Sequence, residues 1–330
     1  MRFDIRLSPF LAVALCAACG DAKPKTDSAA VTPQATAAPT LGAGESMLPV
    51  PDGRIWYKKT GTGTGTPVIL LHGGPGFNSF YLKPLEALGN DRPVIRYDQL
   101  GAGKSGPMTD TSLFTIAHFV RELDSLRASL GYEKVHVLGH SWGTILAYEY
   151  YKAHPDHVAS IVFGSACFDI PAYEKRAASL IATLSDSAQK AIKLAESTKK
   201  YDAPSYQNAI NEFYGKYVFR HPVEADLDST MKLANEGIYN YMQGPSEFTF
   251  TGTLKPYNVT GELGAIKVPT LYTVGEFDEM GPELVRGFAN KTPGAKYALI
   301  PGSAHITSWD NPAEMIKVVR EFLATVDAKK

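Results

Sequence analysis

Cysteine is scarce in this sequence. There are three in 330 residues, Cys16 and Cys19 together in an apolar N-terminal stretch and Cys167 alone far downstream, so the folded part carries no internal disulfide pair. A surplus of one charge is missing too. The 33 Lys and Arg and 34 Asp and Glu leave a formal net charge of −1 and are dispersed along the chain, which excludes the basic arm of a nucleic-acid binder and implies no polyanionic partner. The N-terminal apolar run, Leu7 to Ala18, is too short to cross a bilayer. No fixed-period repeat occurs, which argues against a solenoid. Metal signatures are lacking, because the pair His154 and His157 has no third ligand at usable spacing. Gly103-Lys104-Ser105 ends like a nucleotide loop but has Asp98 where that pattern needs glycine, and Gly61 to Gly65 opens no helix. Both read as loops.

What is present is a chain with 44% apolar side chains, enough to bury a full core. Arg2 and Arg6 precede the first apolar run, as in a signal peptide covering residues 1–19. Cys16-Ala17-Ala18-Cys19-Gly20 resembles a bacterial lipoprotein signal in which Cys19 is lipidated, with ordinary signal-peptidase cleavage as the alternative. The expectation is export, as a membrane-anchored lipoprotein or a soluble periplasmic or secreted protein. Residues 20–45 are Ala, Thr, Pro, Ser and Lys with little that is large and apolar, the composition of a disordered linker.

From Met47 the texture becomes short β-branched runs alternating with helical patterns, the sequence form of an α/β domain with a mostly parallel sheet. Strands are expected at Arg54–Lys59, Val68–Leu71, Val94–Tyr97, Val135–Leu138, Ile161–Phe163, Thr270–Val274 and Tyr297–Ile300. Helices are expected at Phe114–Leu130 and from Pro312 to Leu323. The core falls in two parts, 46–169 and 260–330. Residues 170–259, rich in Ala, Lys, Glu and Tyr, read as a helical cap over the carboxyl edge of the sheet, where such folds bind ligands.

The chemistry centres on Val135 to Gly143, an apolar strand running into Gly139-His140-Ser141-Trp142-Gly143, followed by a helical stretch. This is the G-x-S-x-G elbow of an α/β-hydrolase fold, in which a sharp turn presents the serine hydroxyl above the sheet. The helix N-terminus aims backbone N–H groups at the oxygen that turns negative during acyl transfer, with Trp142 N–H as first donor. His72-Gly73-Gly74-Pro75-Gly76 follows an earlier strand, where Gly74 N–H is placed as the second donor.

A serine needs a histidine to take its proton and a carboxylate to orient that histidine. Of the eight histidines, His305 alone follows the final strand and precedes the last helix, so it is the expected base. The loop Glu276-Phe277-Asp278-Glu279 supplies the acid, Asp278, with Asp169 as second choice and Glu276 and Glu279 left to solvent. His72 is read as bracing its loop. His136 and His140 are read as turned away from the serine, and His118, His154, His157 and His221 as structural or solvated. No cofactor is required, because serine, histidine, backbone donors and water complete both half-reactions.

With these residues identified, the sequence from about Leu48 to Leu323 resembles the prolyl aminopeptidase (proline iminopeptidase) family of α/β-hydrolases. The resemblance rests on HGGPG at His72–Gly76, DQLGAGKS at Asp98–Ser105, GHSWG at Gly139–Gly143, GPSEF at Gly244–Phe248, VGEFDE at Val274–Glu279 and the His305 loop. It implies release of an N-terminal residue, often proline, from short peptides or amides through an acyl-enzyme on Ser141. Glu247 matches the family's acidic position for the substrate ammonium, and Glu212 is a candidate second partner. Phe77, Tyr148, Tyr239 and Phe248 are candidates for an apolar pocket. His140 stands where the family often has glycine. The alternatives are an amino-acid amidase, esterase or lactonase using the same triad, or a tethered binding protein that has lost catalysis.

Overall fold

A computed structural model describes residues 44–329. Cys16 and Cys19, and with them the export and lipidation reading, lie outside the described residues.

The chain opens with a hairpin, β1 (Gly44–Val50) and β2 (Gly53–Thr60), paired antiparallel and closed by Pro51 and Asp52. The sequence reading has no counterpart to β1, and its linker runs two residues into it. The strand carries Gly, Ser and Pro49, which an edge strand tolerates because one side of its backbone needs no partner. Then come β3 (Val68–Leu71), a 3-10 helix (Phe80–Asn90), β4 (Val94–Tyr97), α1 (Ile116–Ser129), β5 (Val135–His140), α2 (Trp142–Ala153) and β6 (Val158–Gly164).

An insertion of helices follows: α3 (Ile170–Ile181), α4 (Asp186–Thr198), α5 (Pro204–Tyr217), α6 (Ala225–Lys232) and α7 (Glu236–Met242). Its two ends meet at a narrow neck. Asp169 bridges Asn258, Ile170 N–H donates to Tyr257 O, and Val259 N–H donates to Phe168 O. The chain resumes with β7 (Thr270–Gly275), α8 (Pro282–Lys291), β8 (Lys296–Ile300), the short α9 (Thr307–Asp310) and α10 (Pro312–Asp327).

These strands form one eight-stranded sheet in the order β1-β2-β4-β3-β5-β6-β7-β8, parallel from β4 onward. Every residue of β3 to β7 is buried, as their near-continuous Val, Ile and Leu composition requires when helices cover both faces. The order doubles back at β3, which lies between β4 and β5. The loops leaving the carboxyl ends of β3 and β5 therefore open the crevice where open α/β sheets hold ligands. The loops after β6, β7 and β8 border the same edge.

At the far end of the sheet the last helix is latched to the first strands. Asp327 accepts from Arg92 Nη1 at 2.8 Å and Thr66 Oγ1 at 3.0 Å, and faces His136 Nε2 at 3.3 Å. Arg92 is buried while Asp327 is partly exposed. Removing the carboxylate leaves a buried guanidinium without its partner, which costs more than the pair contributes. Asp327→Ala is expected to lower unfolding stability by about 2 kcal/mol, the screening of a partly exposed partner included, as read by urea denaturation.

Candidate active site

The site is built on the turn between β5 and α2. Ser141 has φ 55° and ψ −126°, a conformation L-residues avoid and one the surroundings must hold. They do so through two contacts that only glycine permits. A Cβ on Gly139 would lie 2.0 Å from Gly143 O, and one on Gly143 would lie 2.3 Å from Leu71 O. Ser141 N–H donates to Gly164 O at 3.0 Å, tying the elbow to β6. Its Oγ lies 3.9 Å from the buried Cys167 Sγ. Trp142 is the first residue of α2, so its N–H has no acceptor within the helix.

The loop after β3 lies against this elbow and is braced by Gln99. Gln99 N–H donates to His72 Nε2 at 2.9 Å, its side-chain amide donates to His72 O at 3.1 Å, and its carbonyl oxygen accepts from Trp142 Nε1 at 2.9 Å. His72 Nδ1 meets Gly73 O at 2.9 Å, which fixes its proton on Nδ1, because a carbonyl oxygen only accepts. Burial lowers the His72 pKa, against the raising effect of Asp98, and a neutral ring satisfies both contacts. His72 thus braces its loop, as the sequence suggested. Asp98 accepts from the N–H groups of Ser79 and Lys104, so the Gly103-Lys104-Ser105 segment is a turn folded onto its own aspartate.

His305 enters from the loop after β8 and Asp278 from the loop after β7. His305 Nδ1 lies 2.9 Å from Asp278 Oδ1, and both side chains are buried. Asp278 Oδ1 also accepts from Met280 N–H at 2.9 Å. Burial alone would raise the Asp278 pKa, but the charge of His305 and its hydrogen bond outweigh that and lower it. For His305, burial opposes the charged ring, yet the charges of Asp278, Glu279 and Glu247 together raise its pKa to about 9. A raised folded pKa means that the stability contributed by the pair is complete below 6.5 and is lost as the pH climbs through about 9.

Two further carboxylates surround this imidazole. Glu279 is fully buried. Its Oε1 lies 3.8 Å from His305 Nε2 and has no hydrogen-bond partner among the described residues, while its Oε2 accepts from Tyr173 O–H at 2.8 Å. Glu247 is 8% exposed and lines the cleft. Burial raises both carboxyl pKa values, and the charge of Glu247 raises that of Glu279 further. Of the two, Glu247 lines the cleft while Glu279 has no exposed surface; a cation beside Glu247 would offset the cost of burying its charge.

Ser141, His305, Gly73, Gly74 and Glu247 line one cleft of about 430 Å³, open solvent included. Its outer wall is apolar and comes from the cap, with Tyr214, Val218, Phe219, Leu227 and Met231. The cap is also bonded to the machinery itself. The carbonyl of Tyr217 accepts from both His305 N–H at 3.1 Å and Glu279 N–H at 3.3 Å, and Val218 O accepts from Ile306 N–H at 2.8 Å.

Several expected roles do not survive. Glu212 points away from the cleft: it accepts from Ser185 N–H and Oγ at the start of α4 and from Lys216, which makes it a helix-capping residue. Asp169 caps α3 through Ala172 N–H and is not an acid for His305. Glu279, read as solvated, is fully buried behind His305, with Oε1 3.8 Å from its Nε2, and does not line the cleft. His140 is not turned away, because it lines the cleft with its ring 4.7 Å from that of His305. Of the aromatic candidates, Phe77 lines the cleft and stacks on Tyr239, whereas Tyr148 and Phe248 pack into the core against Phe168 and Phe213. The pair His154 and His157 does gain a third potential ligand, since Asp124 on α1 brings all three donor atoms within 4.8 Å of one another. That carboxylate is already held by Arg127 and Tyr150.

Residues 66–312 match the family model for the alpha/beta hydrolase fold. The chain is 39% identical over 285 residues to the proline iminopeptidase of Heyndrickxia coagulans, covering 86% of this chain and 99% of that one. Among solved structures, VinJ superposes with a TM-score of 0.82 at 30% identity, covering 86% of this chain and 99% of its own. The proline iminopeptidase of Mycobacterium smegmatis superposes with a TM-score of 0.79 at 31% identity, covering 87% and 99%.

The electrostatics of the cleft predict a pH dependence. With His305 as the base expected from the sequence, the protonated ring cannot take a proton, so turnover of an uncharged ester should rise with pH as the ring deprotonates. Glu279 is one of the charges raising that pKa. Glu279→Gln should therefore move the acid limb of kcat/KM to lower pH, by about one unit. The limb is read on a neutral ester to keep amine binding out of the comparison.

Proposed function

The chain belongs to the proline iminopeptidase family of α/β-hydrolases, and from that premise we propose that it is a serine exopeptidase releasing an N-terminal residue, proline or another small apolar one, from short peptides or amides. The observation that carries this reading is Glu247, a buried carboxylate lining the same cleft as Ser141 and His305, which suits a substrate with a free amine close to the carbonyl that Ser141 would attack.

In this reading Ser141 Oγ attacks the carbonyl of the N-terminal residue while its proton passes to His305 Nε2, and Asp278 holds the ring by accepting from Nδ1–H. The oxygen that becomes negative is held by the N–H groups of Gly74 and Trp142. Collapse breaks the C–N bond, and the leaving amine takes the proton from His305. Water then attacks the acyl-enzyme with the same base, releasing the free amino acid and restoring Ser141. An ammonium group at Glu247 also offsets part of the negative charge that keeps His305 protonated, so binding the proper substrate favours the free base. A simple esterase or lactonase has no use for a buried acid lining the cleft.

For location we propose export with lipidation at Cys19. A Cys19→Ser variant should lose incorporation of labelled palmitate and leave the membrane fraction; unchanged labelling and fractionation would refute this.

Ser141→Ala should lose at least about 10⁴-fold in kcat on proline 4-nitroanilide. Glu247→Gln should lose about 10²-fold in kcat/KM on aminoacyl amides with a free amine and little on an N-blocked analogue or a plain ester. Glu212→Ala should leave all of these rates unchanged. Equal losses for Glu247→Gln on blocked and free substrates would remove the amine-binding role and favour the esterase reading.

A further inference from the structure

The residue before the nucleophile has a contact on each of its ring nitrogens. His140 Nε2 lies 2.8 Å from the carbonyl oxygen of His305, and His140 Nδ1 lies 2.8 Å from Tyr81 Oη. Tyr81 Oη in turn accepts from Gly73 N–H at 2.7 Å. All of these groups are buried. The direction of each hydrogen bond is fixed by the two ends of the chain. The His305 carbonyl only accepts, so Nε2 of His140 carries the proton. Nδ1 of the neutral ring is then bare and takes the Tyr81 O–H, and the remaining tyrosine lone pair receives Gly73 N–H. Burial, followed by the nearby charge of His305, lowers the His140 pKa to about 3, so the ring stays neutral and adds no repulsion when His305 gains a proton.

We propose that His140 and Tyr81 are positioning residues that lock the Gly73-Gly74 loop, the Ser141 elbow and the His305 loop into one register through this directed chain of hydrogen bonds. His140 is covalently next to Ser141, holds His305 by its backbone, and reaches the glycine loop through Tyr81. Gly73 N–H is consumed by Tyr81, so the Gly73-Gly74 segment is pinned where Gly74 N–H remains free for the substrate oxygen. A Cβ on Gly73 would sit 3.0 Å from Ser141 Cβ and 3.2 Å from Tyr81 Oη, which shows how little the loop can shift. Ser165 Oγ is a second donor to the His305 carbonyl at 3.1 Å, so losing His140 loosens that loop without stripping the carbonyl of partners. The proposal rests on the serine mechanism above, and its first test needs no substrate.

Imidazole ¹⁵N NMR should show His140 protonated on Nε2 and bare on Nδ1, with no titration between pH 5 and 8; the opposite tautomer, or titration in that range, overturns the relay. Kinetics on a short 4-nitrophenyl ester then test its purpose. Tyr81→Phe removes one oxygen atom and His140→Ala the whole ring. Each should lower kcat about tenfold or more, as a small misplacement of reacting groups does, with KM changed less than about twofold. The double variant should be no slower than the slower single one, and His140→Gln, which keeps a donor and an acceptor, should recover most of the rate. Unchanged kcat, a loss confined to KM, additive losses, or a Gln variant as slow as the Ala variant would each overturn the positioning role, as would a fall in Tm with no fall in kcat. If the wild type and Ser141→Ala hydrolyse the ester alike, the serine mechanism fails instead, and the NMR result alone decides whether the relay exists.

Discussion

The hydrogen bond between His305 and Asp278 is the contact on which the site depends, because it holds an ionisable ring where little solvent reaches it. A lone buried imidazole would be forced neutral and free to rotate. Here Asp278 fixes its orientation while Glu279 and Glu247 add negative charge, and the ring's proton affinity ends well above that of a free histidine. The arrangement carries more acid than a base at neutral pH requires. That excess makes sense if a substrate brings its own positive charge into the cleft and cancels part of it. The same carboxylates then act on affinity and on the timing of proton transfer.

How much of this was legible in the chain follows from how local each signal is. The elbow at Ser141 is written in adjacent residues, since strand, turn and helix follow one another and two glycines mark the close approach. Asp278 and His305 were reachable because the fold imposes an order on the loops that end its strands. Glu212 was misplaced because an acidic residue in a helical insertion gives no hint of whether it faces the cleft or caps the next helix. Glu279 was missed for a related reason. Nothing nearby in sequence says that Tyr173, on α3, donates to its carboxylate. Strand alternation assigns His140 to a face away from the serine, whereas at the strand's end its ring lines the cleft beside that of His305.

The protein contains a second meeting of serine, histidine and aspartate, and it clarifies what the first one needs. Ser160 Oγ lies 2.7 Å from His136 Nδ1, and His136 Nε2 lies 3.3 Å from Asp327. Ser160 and His136 are fully buried at the opposite end of the sheet from the cleft. The three residue types alone join strands to the last helix. A strained backbone at the serine, a neighbouring glycine loop and a cleft distinguish the set around Ser141 from this one.

The backbone oxygen of Tyr217 deserves a final consequence. It receives hydrogen bonds from the two residues that flank the chemistry, one in the acid loop and one in the base loop, so the insertion is a third wall of the catalytic frame and not a detachable cover. Exchanging the helical segment for one from a relative would therefore transplant a piece of the frame as well. A chimera joined beyond Val218 would retain the alignment of His305, whereas one joined before Tyr217 would have to rebuild it from the donor's own backbone.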